Sequence, residues 1–375
     1  MKRIKSFKKI SKIPRHPLDK TFLYLILSLV VVGLIFIADI SAPQALNIFD
    51  DKFAFLKNQL AWAGIGLSAM FVVSNIHYNF WKKIATPLFF ISLILLIAVL
   101  IPGLSLEALG ARRWISVGPV NFQPSEVVKL TLALYLAKVA ENKLKKPLSF
   151  FIPLALVAGL IMLQPDLGTT IIVTLIGLVQ IFIAGVPILY FFWSLLIAFV
   201  SVVVLILVSP YRRDRLLTFL EVGSDPLGKE YHIRQILLAI GSGGLFGLGI
   251  GQSKQKYLFL PEASTDSIFA AIAEEVGFVG SAILVFAFAF FVYKAYKISV
   301  NAPDEFSRVL SIGLTAWIGG QMILNIAAMT ALTPLTGIPL PFFSYGGTSL
   351  SMILVSCGIL LNISRYGKEN NITRR

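Results

Sequence analysis

Apolar runs long enough to cross a bilayer recur along the whole chain, and they constrain its fold more than any other feature. A transmembrane helix needs about 20 predominantly apolar residues. Ten such runs cover residues 21–41, 54–74, 84–102, 124–140, 149–164, 167–185, 188–208, 266–293, 309–333 and 342–363. A hydrophobic content of 57% with only 14% charged residues excludes a soluble domain. We therefore predict an all-α polytopic membrane protein with about ten transmembrane helices.

Basic residues predict the orientation of this bundle. The first 20 residues hold eight Lys or Arg, and more of them fall in alternate loops and at the C-terminus. By the positive-inside rule, both termini are then cytoplasmic. We expect cytoplasmic tails at 1–20 and 364–375 on a single membrane domain at 21–363. The first apolar run follows an extended basic leader and is too long for a signal peptide, so we interpret it as an uncleaved span.

The formal charge of +14 has a simple source in this setting. Lysines at a membrane surface meet anionic lipid headgroups, each worth about 1 kcal/mol, so membrane lipids are expected partners and no nucleic acid is needed. The single cysteine, Cys357, lies inside the last span and allows no intramolecular disulfide. Three scattered histidines argue against a zinc site.

The unusual residues collect in loops that this orientation places outside, at 103–123, 164–166, 209–265 and 334–341. The cytoplasmic loops are short and basic, and none resembles a nucleotide-binding glycine loop. We therefore expect any chemistry on the outer face, without ATP. The turn LQPDLGTT belongs to this set, and its Asp166 is predicted to cap the helix that follows.

The longest outer loop, 209–265, has the length of a functional segment. Its start, YRRDRLLTFLE, predicts an amphipathic helix at the interface, where Arg212 and Arg213 would meet lipid phosphates. The later part HIRQILLAIGSGGLFGLG is apolar but rich in glycine, which indicates a re-entrant segment rather than a span. Lys254 and Lys256 follow it and are candidate phosphate contacts.

Acids are concentrated in the stretch YLFLPEASTDSIFAAIAEEVGFVG, residues 257–280. We predict Thr265 as a helix N-cap and Asp266 as the first helical residue, where the positive helix end favours a carboxylate. Helical spacing then places Glu274 on the face of Asp266. Acids at the head of a membrane helix are costly unless they face a cavity, so they mark a site. The alternative is a capped helix with its acids in interfacial water.

A second charged group lies in GARRWISVGPVNFQPSEVVKL. Pro124 suits a first helical turn, and Ser125 and Glu126 fall near the positive helix end. Glu126 and Lys129 are three residues apart and can pair on one helical face. The pair either serves a site or only neutralises two charges within the bundle.

Two further groups of polar residues, a pair of arginines and a pair of amides, lie in or next to the predicted outer loops. Arg112 and Arg113 are candidates for holding a pyrophosphate, because guanidinium groups match phosphate oxygens, unless they are simply solvated. Gln321 and Asn325, four residues apart, place two amides on one helical face, where they would bond between helices. The prolines and glycines after them predict an irregular outer loop and a broken entry into the last span.

Five stretches together resemble the SEDS family of bacterial cell-wall polymerases, the RodA, FtsW and SpoVE group. They are GARRWISVGPVNFQPSEVVKL, LQPDLGTT, DPLGKEYHIRQILLAIGSGGLFGLGIGQSKQK, LPEASTDSIFAAIAEE and TGIPLPFFSYGGTS. They occur in the family's order and spacing, and the resemblance extends from the first span to Gly358. The third stretch is more similar to FtsW and SpoVE than to RodA. Ser264 is a departure, because the family usually has His there.

The resemblance implies a peptidoglycan glycosyltransferase that joins lipid II units outside the membrane and releases undecaprenyl pyrophosphate. The family's essential aspartate falls on Asp266, which would act as the general base. Its matching acid and lysine fall on Glu126 and Lys129, which are the other candidate catalytic residues. Ser125, Glu262 and Ser344 join the candidates for substrate binding. A divalent cation at Asp266 is left open. The expected protein partner is a class B penicillin-binding protein, which crosslinks the new strand.

Two other functions fit a polytopic chain of this kind. A transporter, including a flippase for the same lipid, would need polar residues near the midplane and paired repeats. A non-catalytic scaffold of the division machinery would need neither. The acids cluster at predicted outer helix ends and no internal repeat is evident, which favours the enzyme over the transporter.

Overall fold

A computed structural model describes residues 16–108, 111–118, 120–142, 146–208 and 231–367. Within these residues the chain forms twelve helices and one small sheet. The helices are α1 Lys20–Ile40, α2 Ala42–Phe49, α3 Ala54–Asn75, α4 Asn79–Ala98, α5 Pro124–Ala140, α6 Leu148–Leu163, α7 Leu167–Ile183, α8 Ile188–Val208, α9 Tyr231–Gly243, α10 Ile268–Val300, α11 Glu305–Met329 and α12 Gly347–Ser364. The strands are β1 Ser105–Ala108, β2 Ala111–Val117 and β3 Val120–Phe122.

Ten of these helices coincide with the predicted spans, and only α2 and α9 fall outside them. Five helices, α1, α4, α10, α11 and α12, are by themselves long and apolar enough to cross a membrane. The apolar parts of α6, α7 and α8 are shorter. α5 has 17 residues, carries Glu126 and Lys129 and is buried along most of its length. The fold is thus a polytopic bundle of about ten membrane helices, as predicted.

Glycines let the helices of this bundle approach closely. α3 and α12 pack along most of their lengths, and a Cβ on Gly358 would lie 2.7 Å from the carbonyl oxygen of Met70. A Cβ on Gly66 would lie 2.7 Å from a methyl group of Leu354. Without a hydrophobic force between helices in lipid, such small residues supply the packing contacts. α11 lies at the centre, against α5, α7, α10 and α12, with Trp317 fully buried.

The first predicted outer loop is folded into the small sheet rather than left irregular. β1, β2 and β3 pair in order and antiparallel, with a bulge between Leu106 and Glu107. Gly118 turns the chain between β2 and β3 with a φ of 60°. The sheet lies at the end of the bundle that the basic residues predict to be outside, and we call this the outer end.

α10 is broken near its outer end by an inserted segment. Gly277 has a φ of 67° and a ψ of −169°, which interrupts the helical hydrogen bonds. The amide groups of Leu248 and Gly249 donate to the carbonyl oxygens of Glu274 and Glu275 at 3.0 Å each. Those of Phe278 and Val279 donate back to residues 244 and 245, at 2.9 and 3.0 Å. The glycine-rich stretch after α9 therefore completes the backbone of α10, which agrees with a partly buried, non-spanning segment.

The opposite, inner end is closed by a small polar cluster around Tyr78. Its hydroxyl donates to Asp304 at 2.7 Å, and its amide donates to Asn362 Oδ1 at 2.9 Å. Asp304 also caps α11 in a reciprocal arrangement with Ser307. Burial and the neighbouring carboxylate raise the pKa of Tyr78 above its ordinary value, so it remains a donor.

Candidate active site

Asp266 lies in a tight turn directly before α10. We predicted Thr265 as the N-cap, and this is wrong: the cap is Ser267, and α10 begins at Ile268. The reason is Glu262. Its carbonyl oxygen accepts the amide groups of Thr265 and Ser267 at 3.1 and 3.0 Å, and its carboxylate accepts the Thr265 hydroxyl at 2.6 Å. Asp266 is therefore a loop residue, held by the turn rather than by helical geometry.

This turn is bound to the segment that precedes α12. Three consecutive carbonyl oxygens of the turn accept hydrogen bonds from outside it. They are Tyr345 N to Ser264 O at 2.8 Å, Ser344 Oγ to Thr265 O at 2.5 Å and Asn325 Nδ2 to Asp266 O at 2.8 Å. The Ser344 hydroxyl also accepts the amide of Leu340 at 2.7 Å. We predicted Ser344 as a substrate contact. Its hydroxyl already donates to one backbone group and accepts from another, so this geometry favours a role in supporting the turn.

The carboxylate of Asp266 is half-buried and lies against Gly337. A Cβ on that glycine would be 3.4 Å from Asp266 Oδ2. Gly337 also has a φ of 69°, which side chains other than glycine adopt only with strain. The glycine in TGIPLP thus satisfies both a backbone turn and a close approach to the carboxylate.

The second charged group is the pair on α5. Lys129 Nζ lies 2.6 Å from Glu126 Oε1, and the two side chains are only 2% and 3% exposed. The pairing predicted from the spacing is therefore present. Lys129 also lies 5.0 Å from the centre of the Trp317 ring and donates to Gln321 Oε1 at 3.3 Å. Glu126 Oε2 and the neighbouring Ser125 hydroxyl are buried and have no hydrogen-bond partner among the described residues.

The two candidate arginines are consecutive on β2, at the bulge of the small sheet. Glu107 pairs with Arg112 and Leu106 with Trp114, so Arg113 is the extra residue of the bulge. Arg113 donates to the carbonyl oxygens of Gln164 and Pro165 at 3.2 and 2.5 Å, which ties the sheet to the turn between α6 and α7. Arg212 and Arg213 lie outside the described residues.

Lys256 is bound in a buried ion network instead of facing Asp266. Its ammonium lies 2.8 Å from Asp39 Oδ1 on α1 and 3.0 Å from Glu275 Oε1 on α10. Burial disfavours the charged amine, but hydrogen bonds to Asp39 and Glu275 outweigh it and hold the pKa of Lys256 above its usual range. The phosphate contact predicted for Lys256 does not fit this geometry. Lys254 is exposed, so for this residue the phosphate contact stays a prediction.

Glu274 is likewise part of the scaffold. Its carboxylate accepts the amides of Lys254 and Gln255 at 3.2 Å each and the hydroxyl of Ser253. The predicted helical face shared with Asp266 is therefore not formed, because the loop after α9 holds the Glu274 carboxylate. Glu275 is one of the acids that the sequence concentrates at the head of α10, whereas Asp39 was missed by sequence reasoning.

One cavity borders the Asp266 turn, and a second lies between the neighbouring helices α1 and α10. A polar one of about 150 Å³ lies between the α1–α2 corner and residues 256–263, and it is lined by Gln44 and Glu262. An apolar groove of about 280 Å³ lies between α1 and α10, with Phe36, Val276 and Phe343 among its walls. Phe343 directly precedes Ser344, so the groove reaches the segment that supports the Asp266 turn.

A bundle of about ten membrane helices that gathers a half-buried carboxylate and a buried ion pair at one end defines a multi-pass membrane protein with a polar site at the bilayer surface. The chain belongs to the FtsW, RodA and SpoVE family of cell cycle proteins, whose model matches residues 19–369. Family and spans place it in the inner membrane.

Relatives cover nearly the whole chain. Stage V sporulation protein E of Bacillus subtilis (strain 168) is 42% identical over 357 residues, which are 93% of this chain and 98% of that protein. A probable peptidoglycan glycosyltransferase FtsW of Trichlorobacter lovleyi is 37% identical over 353 residues, with 92% and 93% covered. A chain in a solved peptidoglycan synthase complex that coordinates polymerization and crosslinking superimposes with a TM-score of 0.77 at 28% identity, with 93% of this chain and 98% of that chain covered.

Proposed function

We propose that this chain is a peptidoglycan glycosyltransferase that polymerises lipid II on the outer face of the membrane and releases undecaprenyl pyrophosphate. The family and the names of the relatives support the reaction. The observation that carries the assignment of the site is Asp266. Its carboxylate is half-buried at the outer end, on a turn whose backbone is fixed at three consecutive carbonyl groups.

Asp266 acts as the general base in this proposal. Its carboxylate takes the proton from the 4-hydroxyl of the acceptor sugar as that oxygen attacks the anomeric carbon of the donor. The bond from that carbon to the pyrophosphate oxygen breaks, and the pyrophosphate leaves with the bonding electrons. Base assistance of this kind contributes typically about 10²–10⁴-fold to the rate. A glycine at 337 lets the carboxylate approach the loop without a competing side chain.

Cations stabilise the leaving pyrophosphate. Positive groups placed where charge develops in the transition state supply much of the rate enhancement in many enzymes. The ammonium group of Lys129 lies beside Glu126. The exposed Lys254 and the arginines of β2 contribute further positive charge at the same end. Glu126 orients Lys129, and its second carboxylate oxygen is available for a substrate hydroxyl. Glu262 and Ser125 are proposed to contact the sugars.

A divalent cation would fit only with help from the substrate. No group of three or more His, Cys, Asp or Glu residues in the described part of the chain could hold a metal ion. Mg²⁺ commonly uses one or two carboxylates together with substrate phosphates. Asp266 is the residue that would bind it, with the pyrophosphate completing the ligand set.

The apolar groove between α1 and α10 suits the polyprenyl tail of the substrate. Its lining is almost entirely aliphatic and aromatic, and it begins at Phe343 beside the Asp266 turn. A tail held there leaves the sugars at the outer end. Arg212, Arg213 and membrane lipids would complete the headgroup surroundings. We propose a class B penicillin-binding protein as the protein partner, on the strength of the similar chain in a synthase complex.

The test is polymerisation of purified lipid II by the reconstituted protein and its partner, with the partner's transpeptidase blocked. Wild type is compared with Asp266→Asn and with Asp166→Asn as the matched control. Asp166 is also an acid in an outer turn, but its carboxylate caps α7, a role that Asn fulfils equally well. Strands from wild type and Asp166→Asn but not from Asp266→Asn support the proposal. Equal strands from all three would remove Asp266 from the mechanism, and an inactive wild type would favour a flippase or a scaffold.

A further inference from the structure

Two buried amides on α11 connect the charged groups of the site. Gln321 and Asn325 are 0% and 1% exposed and are separated by four residues. Residues at this spacing lie on one helical face, about 5–6 Å apart. Both side chains donate to the backbone of the outer loop that contains Gly337. Gln321 also bonds the Lys129 ammonium, and Asn325 also bonds the backbone carbonyl of Asp266.

Gln321 is bonded to the Lys129 group. Its Oε1 accepts the Trp317 indole NH at 2.9 Å and Lys129 Nζ at 3.3 Å. Its Nε2 donates to the carbonyl oxygen of Pro339 at 3.0 Å. The amide thereby fixes the lysine ammonium relative to both the helix and the loop.

Asn325 is bonded to the backbone of the Asp266 turn. Its Nδ2 donates to the carbonyl oxygen of Ile338 at 2.7 Å and to that of Asp266 at 2.8 Å. One amino group thus joins two segments that lie 72 positions apart in the sequence (338 − 266). The neighbouring carbonyl oxygens of residues 338 and 339 are therefore held by the two amides in parallel.

We infer that Gln321 and Asn325 are positioning residues, which set the separation between the Lys129 ammonium and the Asp266 carboxylate by bonding the ammonium and the backbone carbonyl of Asp266 to one face of α11. The inference rests on the proposed function. Lys129 belongs to α5 and Asp266 to the turn before α10, so neither segment fixes the other. A helix is a rigid spacer over one turn, whereas a loop is not. Through the two amides, α11 holds Lys129 and the Asp266 turn at a fixed separation.

The expected consequence is kinetic. A misplacement of about 1 Å at a reacting group can lower the rate about 10²-fold. Asn325→Ala is therefore expected to lower kcat about 10²-fold per folded molecule while KM for lipid II stays nearly unchanged. KM is spared because Asn325 is buried and its bonds go to backbone groups, so the lost interaction is one that matters in the transition state.

Asn362→Ala is the matched control. Asn362 is also a fully buried amide on a membrane helix that joins two segments, since it accepts the Tyr78 amide at 2.9 Å and donates to the Ser74 carbonyl at 2.9 Å. It lies at the inner end, away from the site. Both variants lose one buried amide, so their effects on folding are comparable. Only Asn325→Ala is expected to change kcat of the folded fraction.

A double variant separates positioning from general weakening. If Asn325 acts through Asp266, Asn325→Ala combined with Asp266→Glu lowers kcat by less than the product of the two single effects. The inference would be overturned if the two substitutions lowered kcat multiplicatively, or if Asn325→Ala and Asn362→Ala had equal kcat. An active wild type would still support the polymerase in either case. An inactive wild type overturns both. Should Asn325→Ala fail to fold, Gln321→Ala replaces it, with the buried α7 amide variant Gln180→Ala as its control.

Discussion

The ammonium of Lys256 lies 2.8 Å from a carboxylate oxygen of Asp39, although the two residues are separated by 217 positions in the chain. This ion pair attaches the loop after α9 to the outer end of α1. Because the same ammonium also meets Glu275 on α10, one cation holds three segments together. The Asp266 turn follows this loop directly in the chain. The ion network therefore fixes the segment from which the candidate site is built.

Lys256→Met is expected to destabilise the protein strongly. It leaves two carboxylates, one of them fully buried, without their cation, and breaking a buried pair costs about 3–5 kcal/mol. Thermal unfolding in detergent measures the effect. Lys57→Met is the control, because its ion pair with Asp51 is exposed and such pairs contribute about 0–1 kcal/mol. Equal melting temperatures for the two variants would contradict the network.

The Glu126–Lys129 pair can be tested for function separately from charge neutralisation. Lys129→Met alone leaves a buried carboxylate and is expected to lower both stability and polymerisation. The double variant Glu126→Gln/Lys129→Met removes both charges, so it is expected to regain the melting temperature but not the activity. Recovery of polymerisation in the double variant would show that the pair only neutralises itself.

Gly337→Ala is expected to reduce polymerisation. The backbone there has a φ of 69°, where a side chain costs about 1–2 kcal/mol, and the added carbon would be in contact with the Asp266 carboxylate. Gly346→Ala serves for comparison, since its φ of 168° is extended and its nearest neighbour would be 3.8 Å away. Strand synthesis per folded protein should fall for the first variant only.

Asp166 offers a test of the scaffold alone. Its Oδ1 accepts the Thr169 amide at 2.9 Å and its Oδ2 accepts the Thr169 hydroxyl at 2.8 Å, as expected of the cap predicted from LQPDLGTT. Asp166→Ala should lower stability by about 0.5–2 kcal/mol, whereas Asp166→Asn should change it little. Calorimetry of both in one detergent gives the comparison. If Asp166→Asn lost as much stability as Asp166→Ala or more, the negative charge itself would be required.

Features that depend on local spacing were predictable from the sequence. The start of α5 at Pro124, the pair Glu126–Lys129 and the cap at Asp166 each involve residues within three positions of one another. The spans followed from apolar length in the same way. The sheet was missed because strands of three to seven residues give too short a pattern to distinguish from a loop.

Features that depend on distant partners were not predictable. Nothing near Lys256 in the sequence indicates that Asp39 will reach it, so a phosphate contact was an equally reasonable expectation. The capping error at Thr265 has a different cause. Glu262, three residues earlier, competes for the same hydroxyl and backbone groups, and a preference for Thr at N-caps does not include such competition.

The break in α10 at Gly277 makes one end of this helix depend on another part of the chain. An unsatisfied backbone group in hydrocarbon costs several kcal/mol. The amides of Phe278 and Val279 donate to the carbonyl oxygens of residues 244 and 245, which belong to the glycine-rich stretch after α9. Although α10 is long enough to span the membrane by itself, its hydrogen bonding is complete only together with that stretch, so the two form a single structural unit.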